Sequence, residues 1–256
     1  MIKKTIKQLW DINKIIERTT PEIENTQKRI LVKLMYTPHL KFNELWDKHG
    51  ESNKFAYHLK KLEKNGLIIK ADESYKLTHK GKTIVAYLQS KTGKELKAPL
   101  LCVALLIFDK KKNNVLMLKR EKEPFYGYCG FHGGKIAHSE YIFESAQRFL
   151  SETGLTGELA LKGIFSIKTF EAKELSYNHQ FFVVAATNLK GKIIQKIRKG
   201  TNHWVSIKKI REQNIFPNSE FFLKIALQKK FQWIEADRMQ ENDLFKGITI
   251  KKDVYF

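Results

Sequence analysis

Residues 134–155 read GKIAHSEYIFESAQRFLSETGL. Glu144, Arg148 and Glu152 fall at i, i+4 and i+8, so on a helix they share one face. Two readings of that face stay open. One is a surface ladder of ion pairs, worth roughly 0.3 kcal/mol per pair. The other is the remnant of a divalent-metal site, for which several hard oxygen ligands must converge on one ion.

The stretch resembles the Nudix box, in which Gly, five residues, Glu, seven residues and then Arg-Glu-hydrophobic-x-Glu-Glu-x-Gly-hydrophobic hold metal against a diphosphate. Gly134, Glu140 and Arg148 stand at the family spacing. Phe149 takes the place of the Glu after the Arg, and Leu150 and Glu152 fit the next positions. The second of the paired glutamates is missing, because Thr153, Gly154 and Leu155 follow at once. Moving the gap earlier aligns Glu152 with that second glutamate, but then puts Arg148 where a carboxylate should be. The resemblance implies Mg²⁺ or Mn²⁺ held by Glu152 and Glu140, with Arg148 orienting a carboxylate, and a ligand set that is incomplete. Glu144, Glu158, Glu171 and Glu174 are the carboxylates that a fold could bring in as replacements.

The flanks agree with the box. Residues 100–108 form an apolar run, residues 109–114 a polar turn and residues 115–120 a resumed alternation, which together read as a hairpin. Cys129, Gly130, Phe131, His132, Gly133, Gly134 and Lys135 resemble the usual Trp-x-Phe-Pro-Gly-Gly-Lys approach to the box. Residues 180–186 are a strand candidate, and His203, Trp204 and Val205, with a helix starting near Pro217, resemble the close of such a domain. The resemblance covers roughly residues 100–230, a length that suits one domain.

The first hundred residues differ in kind. Ile30, Leu31, Leu34 and Met35 recur at helical spacing within residues 22–36, behind Thr20 as a cap and Pro21 at the first turn. A short helix over 42–49 ends at Gly50, and a third over 53–65, capped by Ser52, ends at Gly66. Two short strands around a polar turn at 72–74 and a last helix over 78–89 follow. Phe55, Tyr57, His58, Leu59, Leu62, Gly66, Leu67 and Ile68, then Tyr75, Leu77, Thr78 and Gly81, resemble the signature of winged helix-turn-helix regulators of the ArsR and MarR kinds. That resemblance implies double-stranded DNA as partner. Ser52, Asn53, Lys54, Tyr57, His58, Lys60, Lys61 and Lys64 would lie on the recognition helix. A winged helix used only for protein contacts is the alternative.

The expected organisation is therefore an α+β chain of two domains, a winged helix followed by an α/β/α Nudix sandwich. Its segments are a helix within 1–20, the winged helix at 21–90, a Lys-rich linker at 91–99, the Nudix domain at 100–230 and an extension at 231–256. A stripe of Ile2, Ile6, Leu9, Trp10, Ile12 and Ile16 gives the first helix a face that a homodimer or its own domain would cover. The net charge of +20 divides evenly between residues 1–100 and 101–256, so the shorter part is the denser in charge and suits a phosphate backbone. A generally Lys-rich composition is the plainer explanation of the same charge. No apolar run is long enough to span a bilayer and no signal-peptide core follows Met1, so a cytoplasmic protein without membrane association is expected. Cys102 and Cys129 make neither a disulfide framework nor a metal cluster.

Two functions follow from the resemblances. The first is a DNA-binding transcriptional regulator whose Nudix-like domain binds a nucleotide or nucleotide-sugar ligand such as ADP-ribose. It is similar to bacterial regulators of NAD metabolism, although there the sensor comes first. Lys119, Arg120, Lys122 and Lys135 would face the diphosphate, Gly133 and Gly134 would line its loop, and Tyr128, Phe125 or Tyr126 would stack on a base. Ordinary strand ends and core aromatics are the alternative for each of these. The second function is a metal-dependent Nudix pyrophosphohydrolase of nucleoside diphosphate-linked compounds, with an accessory winged helix.

Overall fold

The computed structural model of the 256-residue protein describes residues 25–46, 48, 50–86, 88, 98–122, 125–241 and 244–256. The helix expected within residues 2–18, the Thr20 and Pro21 start signals and most of the 91–99 linker lie outside the described residues. Two compact units divide the chain, Met1–Lys97 and Ala98–Phe256.

In the first unit the order is α1 (Asn25–Tyr36), β1 (Leu40–Lys41), α2 (Phe42–Trp46), α3 (Ser52–Lys64), β2 (Ile68–Ala71), β3 (Ser74–Leu77) and α4 (His79–Val85). The strands form an antiparallel sheet in the order β1-β3-β2. Ile30, Leu31 and Leu34 of α1 meet Leu59 and Leu62 of α3 and Leu67 in one core, which is why apolar residues recur there at three- and four-residue spacing. Glu51 rather than Ser52 occupies the N-cap of α3, with no side-chain capping bond. Thr78 caps α4, accepting from the Gly81 N–H at 3.0 Å while its own hydroxyl donates to the Gly66 carbonyl at 2.6 Å. A Cβ at Gly81 would lie 2.0 Å from the Leu67 carbonyl oxygen, so only glycine allows this approach. Both short helices stop earlier than their sequence suggests, α2 at Trp46 and α4 at Val85.

The second unit is built on a ten-stranded sheet, with β4 (Leu100–Phe108), β5 (Asn114–Arg120), β6 (Cys129–Gly130), β7 (His132–Lys135), β8 (Leu155–Glu171), β9 (Glu174–Gly191), β10 (Lys196–Ile197), β11 (Gly200–Ser206), β12 (Gln232–Glu241) and β13 (Leu244–Tyr255). Its main path runs β10-β11-β5-β4-β9-β8-β12-β13, with β6 beside β5 and β7 beside β4. Helix α5 (Ile142–Glu152) covers one face and α6 (Ser219–Leu227) the other, giving three layers. From Cys102 to Phe108 strand β4 is buried on both faces, sending Val103, Leu105 and Ile107 toward α5 and Ala104, Leu106 and Phe108 toward α6. This is why residues 102–108 read as an unbroken apolar run.

The expected strand at 180–186 is the inner part of the 18-residue β9, which forms a long hairpin with the 17-residue β8. Residues 231–256 are joined to this sheet: β12 runs parallel to β8 and β13 folds back on β12. Alternation on β12 sends Gln232, Ile234, Ala236, Arg238 and Gln240 inward. Among the described residues no helix is long and apolar enough to cross a membrane.

Candidate functional site

Helix α5 buries Ser145, Ala146, Phe149 and Leu150 against β4 and β9, which leaves Glu144, Arg148 and Glu152 toward its outer side. At its start the Glu144 carboxylate accepts from the Tyr141 N–H at 2.8 Å. Glu144 thereby serves the helix terminus, where a carboxylate is favoured by the helix dipole.

Glu140, in the loop before α5, is held by four donors. Arg148 Nε reaches one carboxylate oxygen at 2.6 Å and Nη2 the other at 2.7 Å, and the Ser145 hydroxyl and Ala137 N–H add bonds at 2.5 and 3.3 Å. The Arg148 bond is the main reason its carboxyl is held down to about 2, with the Ser145 and Ala137 bonds contributing. Arg148 also stands 3.8 Å from Glu152, one turn on. The other Glu152 oxygen accepts from Lys199 Nζ at 2.6 Å. Lys199 lies 47 residues away, in the turn between β10 and β11.

Phe149, in the position where the family has glutamate, organises this charge. Its ring is 4% exposed and lies under Gly134, where a Cβ would come within 3.2 Å of it. The Arg148 guanidinium sits 4.2 Å from the ring centroid and the Lys199 ammonium 4.8 Å, so one buried aromatic supports both cations that neutralise the box carboxylates. Beneath them His132 is 5% exposed, with an Nε2 that has no hydrogen-bond partner among the described residues. Burial, reinforced by the charge of Lys199, pushes its imidazole down to about 4.

A divalent ion does not fit this donor set. Both carboxylates are already bonded to cations, and among the described residues no three His, Cys, Asp or Glu side chains gather as metal ligands. Glu158 bonds to Asn188 at 2.9 Å, while Glu171 and Glu174 sit at the β8–β9 turn.

The expected diphosphate-binding residues are dispersed. Strand alternation sends Lys119 and Arg120 to opposite faces of β5. Lys119 pairs across the strands with Cys129, and Lys135 with Cys102, on the face covered by α6. Tyr128 packs with Phe125, Phe216 and Phe245 in an aromatic cluster. Lys119, Lys135 and Tyr128 are therefore not gathered around Glu152. Gly133 and Gly134 have φ of +127° and +146°, and a Cβ at Gly133 would lie 2.0 Å from the Val103 carbonyl oxygen. These glycines let β7 run close to β4. Lys122 and Tyr126 are exposed. Burial raises both thiols, Cys102 to about 11.

In the first unit, Asn53, Lys54, Tyr57, Lys60 and Lys64 form the exposed side of α3, with Ser52 exposed at its start. Lys61 Nζ lies 6.0 Å from the Tyr57 ring. Among the described residues Lys54, Lys60 and Lys64 make no ion pair. His58 departs from the expected interface: it is 4% exposed and its Nδ1 stands 3.4 Å from Gln27 Nε2. It sits next to Leu59 on the buried side of the helix, so it belongs to the core.

Lys199 escaped the sequence reading because a lysine in a short turn carries no signal of a carboxylate 47 residues away.

A family described as Domain of unknown function (DUF7347) matches residues 24–88. A comparison with curated proteins finds no match. Among solved structures, the chain is similar to the mutator protein MutT from Bacillus halodurans, at 20% identity over 59% of this chain and 97% of that one, with a TM-score of 0.51. MutT from Methanosarcina mazei Go1 is 24% identical over 51% of this chain and 96% of that one, with a TM-score of 0.41. The Nudix domain of Shewanella oneidensis NrtR, solved with ADP-ribose, is 18% identical over 59% of this chain and 97% of that one, with a TM-score of 0.45. The likeness to the Bacillus halodurans protein is one of fold, and the C-terminal part of the chain has a Nudix fold.

Proposed function

We propose that this protein is a DNA-binding regulator in which the Nudix-fold unit is a receptor for a nucleotide or nucleotide sugar. The first unit is read as a winged helix that meets double-stranded DNA through α3. The observation that carries the receptor reading is the pairing of both box carboxylates with cations of the chain itself, Glu140 with Arg148 and Glu152 with Lys199. A site that places ammonium and guanidinium groups on its carboxylates lacks free ligands for a metal-activated water, while the remaining N–H donors of Arg148 and Lys199 suit a diphosphate. Lys54, Lys60 and Lys64, which make no ion pair among the described residues, and the exposed Tyr57 support the DNA reading, since they stand where phosphates and base edges would be met. The ligand acts by binding two conformations unequally, with a coupling of about 1 to 3 kcal/mol.

The test is a panel of nucleoside diphosphate compounds, ADP-ribose included, offered with and without Mg²⁺ or Mn²⁺ to the wild type and to Glu152→Gln. The expected outcome is saturable binding without turnover, and a DNA affinity that changes when the bound compound is present. Metal-dependent turnover that disappears in Glu152→Gln would instead make the protein a Nudix hydrolase with an accessory winged helix. A DNA affinity unmoved by any compound would remove the sensing role.

A further inference from the structure

The C-terminal hairpin carries a charge that the box does not explain. Arg238 of β12 points into the layer between the sheet and α6 and is 8% exposed. Its Nε and Nη2 both donate to the Thr169 hydroxyl, at 3.2 and 3.0 Å, and its Nη1 donates to the Asn218 side-chain oxygen at 2.9 Å. The Phe245 ring lies 4.4 Å from the guanidinium carbon. All these partners are neutral, and among the described residues Arg238 forms no ion pair. A buried cation without a counter-charge is costly, and burial pulls Arg238 down to about 10. Asn218 stands at the N-cap of α6 but makes no capping bond there, its oxygen being turned to Arg238.

A second group on the same face also lacks a partner. His179 of β9 stacks on Phe181, with centroids 5.5 Å apart, and its buried Nδ1 has no hydrogen bond among the described residues. Burial pushes its imidazole down to about 4, and the charges that add to this are Arg238 and Lys135. Register places these cations on either side of the row of Tyr177, His179 and Phe181. Arg238 lies opposite Thr169 and Thr169 opposite Tyr177; on the other flank Lys135 lies opposite Cys102 and Cys102 opposite Phe181. Each cation's backbone is thus two strands from the row, about 10 Å. Tyr177, 44% exposed, opens the row to solvent.

We propose that this row is a phosphate-binding site, with Arg238 as its principal cation, Thr169 and Asn218 positioning the guanidinium, and His179 and Lys135 completing it. A phosphate group rather than a carboxylate is assigned because hydrogen phosphate has both acceptor oxygens for the guanidinium and an O–H for a neutral imidazole, so it satisfies either tautomer of His179. The site is on the sheet face opposite α5 and uses none of Glu140, Arg148, Glu152 or Lys199.

The test is thermal unfolding of the full chain against inorganic phosphate, with chloride keeping the ionic strength constant. The wild type is expected to show a saturable rise in the midpoint of the second unit, about 5 to 10 °C at a hundredfold excess over Kd. Arg238→Met should abolish the rise, Arg238→Lys should retain it with about tenfold weaker affinity because the planar fork is lost, and Arg211→Met, at an exposed arginine paired with Glu220 outside both sites, should leave it unchanged. AMP in place of phosphate tells the source of the group apart: tighter, Arg238-dependent binding assigns a nucleotide phosphate, and weaker binding assigns free phosphate. The proposal fails if the wild type shows no saturable rise, or if the rise survives in Arg238→Met. Should Arg238→Met not fold, an unchanged affinity in Arg238→Lys overturns it equally.

Discussion

Helices α3 and α5 both carry rows of charge, and the rows have opposite fates. On α5 each box carboxylate has a cation of the chain on it, Arg148 on Glu140 and Lys199 on Glu152, both backed by the buried ring of Phe149. On α3, Lys54, Lys60 and Lys64 face solvent with no carboxylate among the described residues to meet them. Charge of similar density is consumed by the fold in one place and left facing solvent in the other. Motif content alone points the other way, since the box on α5 is the part that looks catalytic.

The strongest test of this contrast is at α3. Lys54→Glu, Lys60→Glu and Lys64→Glu together are expected to lower affinity for duplex DNA about a hundredfold at moderate salt and to flatten the salt dependence, read by titration at several salt concentrations. An unchanged affinity would mean the exposed row does not meet phosphate.

At α5 the larger effect should come from Arg148→Met, which leaves the Glu140 carboxylate largely enclosed and without its fork. A stability loss of about 1 to 3 kcal/mol in the second unit is expected, measured by denaturant unfolding. The pH profile carries the same information. Glu140 is held near 2, below the ordinary carboxylate range near 4.5, so its contribution is fully present above that range and disappears as pH falls toward 2. Arg148→Met should flatten most of this low-pH slope, the Ser145 and Ala137 bonds keeping the rest. His132 and His179, both held near 4 against an ordinary 6.5, give a separate loss as pH falls between those values, and this slope should survive in Arg148→Met.

Lys199→Met should free one side of Glu152 and raise Mn²⁺ affinity by about tenfold at most, measured by calorimetry, because a single freed carboxylate is a poor ligand set. A tight site in this variant would show that Lys199 had been masking an otherwise complete centre. The smallest expected effect is a control. Thr78→Ala removes the cap of α4 and should cost about 1 kcal/mol in the first unit while leaving DNA affinity unchanged, since neither charged row is touched.

Much of the architecture was legible locally. The apolar spacing of Ile30, Leu31 and Leu34, the doubly buried run on β4 and the Gly133–Gly134 pair each carry their own physical signature in a few residues. Helix ends were read less well: α2 and α4 stop short, and the N-cap of α3 is Glu51, because terminal turns are decided by packing and by which side chains reach the free N–H groups. The placement of His58 was misread although its spacing carried the signal, since it stands three residues after Phe55 and four before Leu62, on the apolar stripe of the helix.

The sequence by itself determined that the box lacks carboxylates, that Phe149 stands where a glutamate is usual and that lysines crowd α3, because these are statements about residue identity and spacing. Only the tertiary structure decided that Lys199 closes on Glu152, that Lys119 and Lys135 stand on the sheet face opposite α5, and that the C-terminal hairpin buries Arg238 against Thr169 and Asn218. The reason is one of range. Helical faces and strand alternation repeat within a few residues, whereas an ion pair or a buried guanidinium depends on side chains that only the completed sheet brings together.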